Sequence, residues 1–148
     1  MIVERMAERH IAQIAEIERA CFHDPWSENG LREELGLENN LFLAAVEGES
    51  VVGYVGCQTV LDEGYITNVA VSPEHRRKGI AAKLLAELRA RAEEKDLTFI
   101  TLEVRMSNVP AITLYQGAGY IEVGTRKNFY SNPKEDALLM TCFLKESE

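Results

Sequence analysis

The chain has 148 residues, 46% hydrophobic and 27% charged, with a formal net charge of −8, which suits one globular domain spanning 1–148 and excludes disordered or fibrous classes. No apolar run approaches the roughly 18 residues of a membrane span, and the acidic balance argues against nonspecific nucleic-acid binding. The start, MIVERMAERH, has no cationic region leading into an apolar core, so a soluble, cytoplasmic protein is expected.

A short strand is predicted over 2–5, followed by a helix to about Phe22 with Ile11, Ile14, Ala15 and Cys21 on one face. Asp24-Pro25-Trp26-Ser27 breaks that helix. Ser27 can cap a second one that turns Leu31 and Leu35 inward and ends near Gly36, and the polar stretch from Pro25 onward suits a substrate-side flap. Trp26 is expected to anchor packing; the alternative is a wall of the substrate pocket. Strands over 41–47 and 51–60 are joined by Gly48-Glu49-Ser50, a hairpin signal. Asp62-Glu63-Gly64 makes the next turn, its acids being ordinary turn residues or a lure for a protonated amine, and a strand over 65–71 follows.

That strand runs into Ser72-Pro73-Glu74-His75-Arg76-Arg77-Lys78-Gly79, and a helix is predicted over 78–94 from the spacing of Ala81, Leu84, Leu85, Leu88 and Ala92. A helix N-terminus has unpaired N–H groups and a positive dipole end. Here cationic side chains crowd it, while Gly79, Ala81 and Ala82 leave the backbone open to close approach, so a pyrophosphate is the natural ligand. The alternative is a solvated basic turn. A Walker loop and a dinucleotide fingerprint are both excluded, because a single glycine is present and no Gly-Lys-Ser/Thr follows.

A strand over 99–104, a helix capped by Ser107 or Asn108 with Pro110 in its first turn and closing at 117–119, and strands over 120–128 and 137–144 complete the order. The result is an α/β arrangement, a mixed and mostly antiparallel sheet with helices on its faces. Cys21, Cys57 and Cys142 are scattered singly without C-x-x-C or His spacing, so they are expected to be reduced core residues and no metal site is expected. A thiol nucleophile is the sharper alternative.

The pattern Arg/Gln-x-x-Gly-x-Gly/Ala is carried by Arg76, Gly79 and Ala81 directly after a strand ending Asn-Val-Ala-Val. It resembles the acyl-CoA pyrophosphate loop of the GNAT N-acetyltransferases, and the rest of the chain is similar to the RimI-type ribosomal-protein-alanine N-acetyltransferases within them. The second stretch of likeness is Glu103-Val104-Arg105, Ser107-Asn108, Ala111, Leu114-Tyr115 and Gly119-Tyr120; further matches are Pro25-Trp26-Ser27, Leu61-Asp62-Glu63, Arg126, Asn128, Tyr130, Asp136-Ala137 and Met140. Arg76 stands where glutamine is common, Ala81 where a second glycine is common and Phe129 where tyrosine is frequent.

The resemblance implies a GNAT fold and acetyl-CoA as co-substrate. It implies Glu103 as proton acceptor, Tyr115 as proton donor, Asn108 in contact with CoA, and the acetyl-pantetheine arm against the backbone of Val69, Ala70 and Val71. The pyrophosphate would lie on Arg76, Arg77, Lys78, Gly79, Ile80, Ala81 and Ala82. Residue chemistry is compatible with this: an N-terminal amine has a pKa of about 7.7 to 8.0 and needs only a modest base, and a phenol can protonate a departing thiolate. The alternatives are, for Glu103, a strand-end charge paired with Arg105 and, for Tyr115, core packing. The implied substrate is the N-terminal alanine of a small-subunit ribosomal protein; other protein N-termini or a small amine are alternatives, as is a non-catalytic CoA-binding or partner-binding module. The oligomeric state is left open, with a monomer compatible.

Overall fold

Along 41–45 every residue is buried, so side chains pointing to both faces of that strand must be covered by helices on both sides. The computed structural model, which describes residues 1–145, has that layering. Its elements are β1 (Ile2–Arg5), α1 (Glu8–Cys21), α2 (Glu28–Leu35), β2 (Leu41–Glu47), β3 (Ser50–Val60), β4 (Glu63–Val71), α3 (Ile80–Glu94), β5 (Phe99–Arg105), α4 (Val109–Gly117), β6 (Ile121–Tyr130) and β7 (Glu135–Phe143). Among the described residues the strands form one sheet in the order β1-β2-β3-β4-β5-β7-β6. Every neighbouring pair is antiparallel except β4 with β5.

One core lies under α3, where Leu84, Leu85 and Leu88 meet Leu41, Leu43, Ile100 and Met140. The other lies under α1, where Ile11, Ile14 and Ala15 meet Phe42, Ala44 and Tyr54. Ser27 caps α2 as its position predicts, accepting from the Gly30 N–H at 3.0 Å, an interaction worth about 1 kcal/mol.

Three expectations are corrected. The helix predicted over 78–94 starts at Ile80, because Gly79 is its N-cap in the left-handed region at φ 74° and Lys78 precedes it. The turn before β4 is made by Leu61 and Asp62, with Leu61 at φ 55°; Glu63 and Gly64 are already paired in the strand. Cys57 and Cys142 are buried, but Cys21 is only half-buried at the end of α1.

The feature that builds the site is a wedge between β4 and β5. These two strands pair only where Glu63, Gly64 and Tyr65 meet Phe99, Ile100 and Thr101. Beyond that, β4 carries a bulge: Gly56 pairs with Asn68 and Cys57 with Ile66, leaving Thr67 unmatched. A bulge bends and twists its strand, so β4 turns away from β5 and opens a gap in the sheet. Gly56 makes room for it, since a Cβ there would lie 2.7 Å from Thr67 Oγ1 and 2.8 Å from the Phe42 ring.

Candidate active site

The gap is a cavity of about 580 Å³. Asn68 and Val69 line it from β4, Glu103 and Arg105 from β5, Asn108, Ala111 and Tyr115 from α4 and its cap, Cys21 and Phe22 from the end of α1, and Phe129 and Tyr130 from the end of β6. Glu103 and Tyr115 are thus brought to one space from two elements. Strand alternation does this for Glu103: Ile100, Leu102 and Val104 point into the core, so Thr101, Glu103 and Arg105 point the other way.

Glu103 is paired with Arg126, not Arg105. Its Oε1 lies 3.7 Å from Arg126 Nε, with the carboxylate side chain 5% exposed and the arginine 57% exposed. Burial pushes the Glu103 carboxyl above its ordinary value while Arg126 opposes the rise. Arg105 is occupied elsewhere: it donates to the Pro133 and Ser131 carbonyls at 2.9 and 3.1 Å, pairs with Glu135 at 3.2 Å, and lies 4.4 Å over the Tyr130 ring. It therefore clamps the β6–β7 connection and holds Tyr130 at the cavity. A hydrogen bond from Ser107 and the Arg105 guanidinium hold Glu135 below the usual carboxylate range.

Burial pushes the Tyr115 phenol up to about 12, with Tyr130 adding to the rise. The Tyr115 ring is tilted against Tyr120 at 5.9 Å. Asn108 caps α4 as predicted, accepting the Ala111 N–H at 3.2 Å through Oδ1. Its Nδ2 donates to no protein group among the described residues and is free to meet a ligand. Trp26 does not line the cavity; it packs edge-on against Phe42 at 5.9 Å. Asp62 and Glu63 sit at the paired, closed end of the wedge and do not line it either.

A second cavity of about 410 Å³ is lined by Val71, His75, Arg76, Arg77, Gly79, Ile80, Ala81, Ala82, Pro110, Ala111 and Leu114. Lys78 is exposed and does not line it, and the side chain of Ala70 is buried against the α1 core. The first intrahelical bond of α3 runs from the Lys83 N–H to the Gly79 carbonyl at 3.1 Å, so the N–H groups of Ile80, Ala81 and Ala82 are the free donors of its first turn. No acidic residue occupies that turn and no side chain caps it. Ala111 lines both cavities, so the basic turn and the space holding Glu103 and Tyr115 adjoin at α4. Among the described residues no cluster of His, Cys, Asp or Glu is arranged to hold a metal, and no helix is long and apolar enough to cross a membrane.

Sequence reasoning missed Cys21, Phe22, Asn68 and the role of Arg126. A signal existed for the helix end: Ile14, Glu18, Cys21 and Phe22 share one helical face, so the apolar stripe of α1 carries a carboxylate.

The acetyltransferase (GNAT) family matches residues 11–120. The ribosomal protein bS18-alanine N-acetyltransferase of Haemophilus influenzae is 36% identical over 146 residues, which cover 97% of this chain and 99% of that relative. The crystal structure of the ribosomal-protein-S18-alanine N-acetyltransferase from Escherichia coli superposes with a TM-score of 0.89 at 29% identity, covering 99% of this chain and 96% of that one. A NatC complex bound to Gag peptide and CoA contains a chain that superposes with a TM-score of 0.86 at 25% identity, covering 97% of this chain and 98% of that one. The path between β4 and β5, its basic turn and these likenesses agree: the chain belongs to the GNAT family of acetyltransferases, within its ribosomal-protein-alanine N-acetyltransferase branch.

Proposed function

We propose that the protein, a single domain over 1–148, transfers the acetyl group of acetyl-CoA to the N-terminal alanine amine of ribosomal protein bS18 in the cytoplasm. The observation that carries this reading is the meeting of Glu103 and Tyr115 in one cavity that adjoins the uncapped, basic N-terminus of α3. The pyrophosphate would lie on the amides of Ile80, Ala81 and Ala82 with Gly79 giving access, flanked by Arg76, Arg77 and, at longer range, Lys78. The pantetheine arm would run along the backbone of Val69, Ala70 and Val71, with Asn108 Nδ2 as a further donor.

Glu103 takes a proton from the alanine ammonium, directly or through water, and the free amine attacks the thioester carbonyl. A backbone N–H near Val71 stabilises the oxyanion. As the C–S bond breaks, Tyr115 hydrogen-bonds to the sulfur and gives it a proton; the second proton of the attacking nitrogen, shed as the amide forms, restores the phenol through water, and Glu103 passes its own proton to solvent. A phenol near 12 facing a thiol with an ordinary value of about 8.5 makes full transfer uphill, so the proton moves late, when negative charge has gathered on the sulfur. Burial keeps the donor protonated throughout the neutral range. No acyl-enzyme is needed: Cys21, the one cysteine lining the cavity, meets Arg76 at 3.4 Å and the Val71 carbonyl at 3.6 Å, neither of which is a base for a thiol proton.

The test is turnover with acetyl-CoA and a peptide carrying the bS18 N-terminus, followed by intact mass. Acetylation of that peptide in preference to free small amines is expected. Preference for the free amines would remove the ribosomal-protein substrate and leave a small-amine transferase.

A further inference from the structure

Glu18, on the inner face of α1, is 0% exposed, and among the described residues no cation lies beside it. Its carboxylate accepts from the Trp26 backbone N–H at 2.9 Å, from the Tyr54 hydroxyl at 2.7 Å and from Asn68 Nδ2 at 3.0 Å to each oxygen. The Glu18 carbonyl also accepts the Phe22 N–H at 2.9 Å, which ends the helix. A buried charge without a counter-ion is a costly way to fill space, and an apolar side chain of similar volume serves a core at least as well. What the charge provides is direction. Its donors come from the chain leading into α2, from β3, and from the bulged stretch of β4, and they fix these three to the end of α1.

One of those donors borders the cavity: Asn68 lines it one residue after the bulge at Thr67, while Cys21 and Phe22, which follow Glu18 in the chain, form its wall on the α1 side. We propose that Glu18 is a positioning residue for acetyl transfer, its carboxylate locking the wall over residues 21–26 onto β4 at Asn68 so that the acceptor amine enters a mouth of fixed shape. This rests on the reading that the acceptor amine reaches Glu103 through this cavity. None of the Glu18 carboxylate contacts reaches the first turn of α3, although Arg76 touches the same wall through Cys21 at 3.4 Å, so the effect on the acceptor should exceed the effect on the coenzyme.

Glu18→Gln keeps the volume but sets an amide N–H₂ against donors. The acceptor KM should therefore rise about tenfold, with the acetyl-CoA Kd within about twofold of the wild type. Trp26 is the only tryptophan, and its fluorescence should become more accessible to acrylamide. Tyr54→Phe, which removes one donor and leaves the ring, should shift KM and quenching in the same direction by less, and it carries the decision if Glu18→Gln does not fold. Wild-type KM and wild-type quenching in the folded variant overturn the proposal, and so does an equal change in acceptor KM and acetyl-CoA Kd. If the wild type fails to acetylate the alanine-start peptide, the substrate reading falls instead; the KM ratio is then read with a primary amine that the wild type does acetylate, and the quenching comparison needs no acceptor.

Discussion

Glu103 is set between two opposed influences, burial that raises its carboxyl and Arg126 that lowers it. As a base it works only when ionised, so kcat should fall as pH drops through its raised value. Arg126→Ala removes the lowering influence; the acid limb of the kcat profile should move to higher pH, and a limb that stays in place would detach Arg126 from the base. For Tyr115→Phe, kcat should fall by about a hundredfold or more while acetyl-CoA affinity holds, the usual scale for loss of a general acid; stopped-flow or steady-state turnover beside calorimetric binding checks this. Cys21→Ala should retain turnover within about twofold, as expected when a side chain lacks an activating base, and its inactivation would revive a thiol nucleophile. At this scale the convergence of Glu103 and Tyr115 on one cavity is legible through the motif that contains them. The partners are not, because Arg126 and Glu18 reach their sites across strands and helices whose register is not local in the sequence.

The hairpin, the Ser27 cap and the Asn108 cap depend on a few adjacent residues, and for that reason their positions were readable before the fold. Side-chain spacing places the start of α3 two residues early, because Gly79 adopts φ 74° and stands outside the helix as its N-cap. That angle carries a prediction of its own. A Cβ at Gly79 meets nothing within 4 Å, so Gly79→Ala adds only the left-handed penalty of about 1 to 2 kcal/mol. Relief of that strain would turn the Ile80, Ala81 and Ala82 amides out of line. The acetyl-CoA Kd should therefore rise about tenfold with little change in kcat at saturation, a split that titration calorimetry and turnover together resolve. The wedge between β4 and β5 was illegible for a different reason: it needs the Thr67 bulge, whose cause is the register of β4 against Gly56 on β3.

Across the whole molecule, two helical layers cover one sheet that is split at its centre, and the split holds Glu103 and Tyr115. A third cavity, of about 560 Å³, runs between α3 and α4 past Ala82, Ala86, Arg89, Glu93, Thr113 and Leu114. It is largely apolar, its carboxylate Glu93 is paired with Arg89 at 3.2 Å, and it holds neither Glu103 nor Tyr115. The most direct measurement is a crystal structure with a bisubstrate analogue, CoA joined through its sulfur to an alanine-start peptide. The account predicts the sulfur between Glu103 and Tyr115, with the pyrophosphate on the Ile80, Ala81 and Ala82 amides. An analogue seated in the α3–α4 groove, with the gap between β4 and β5 left empty, would contradict it.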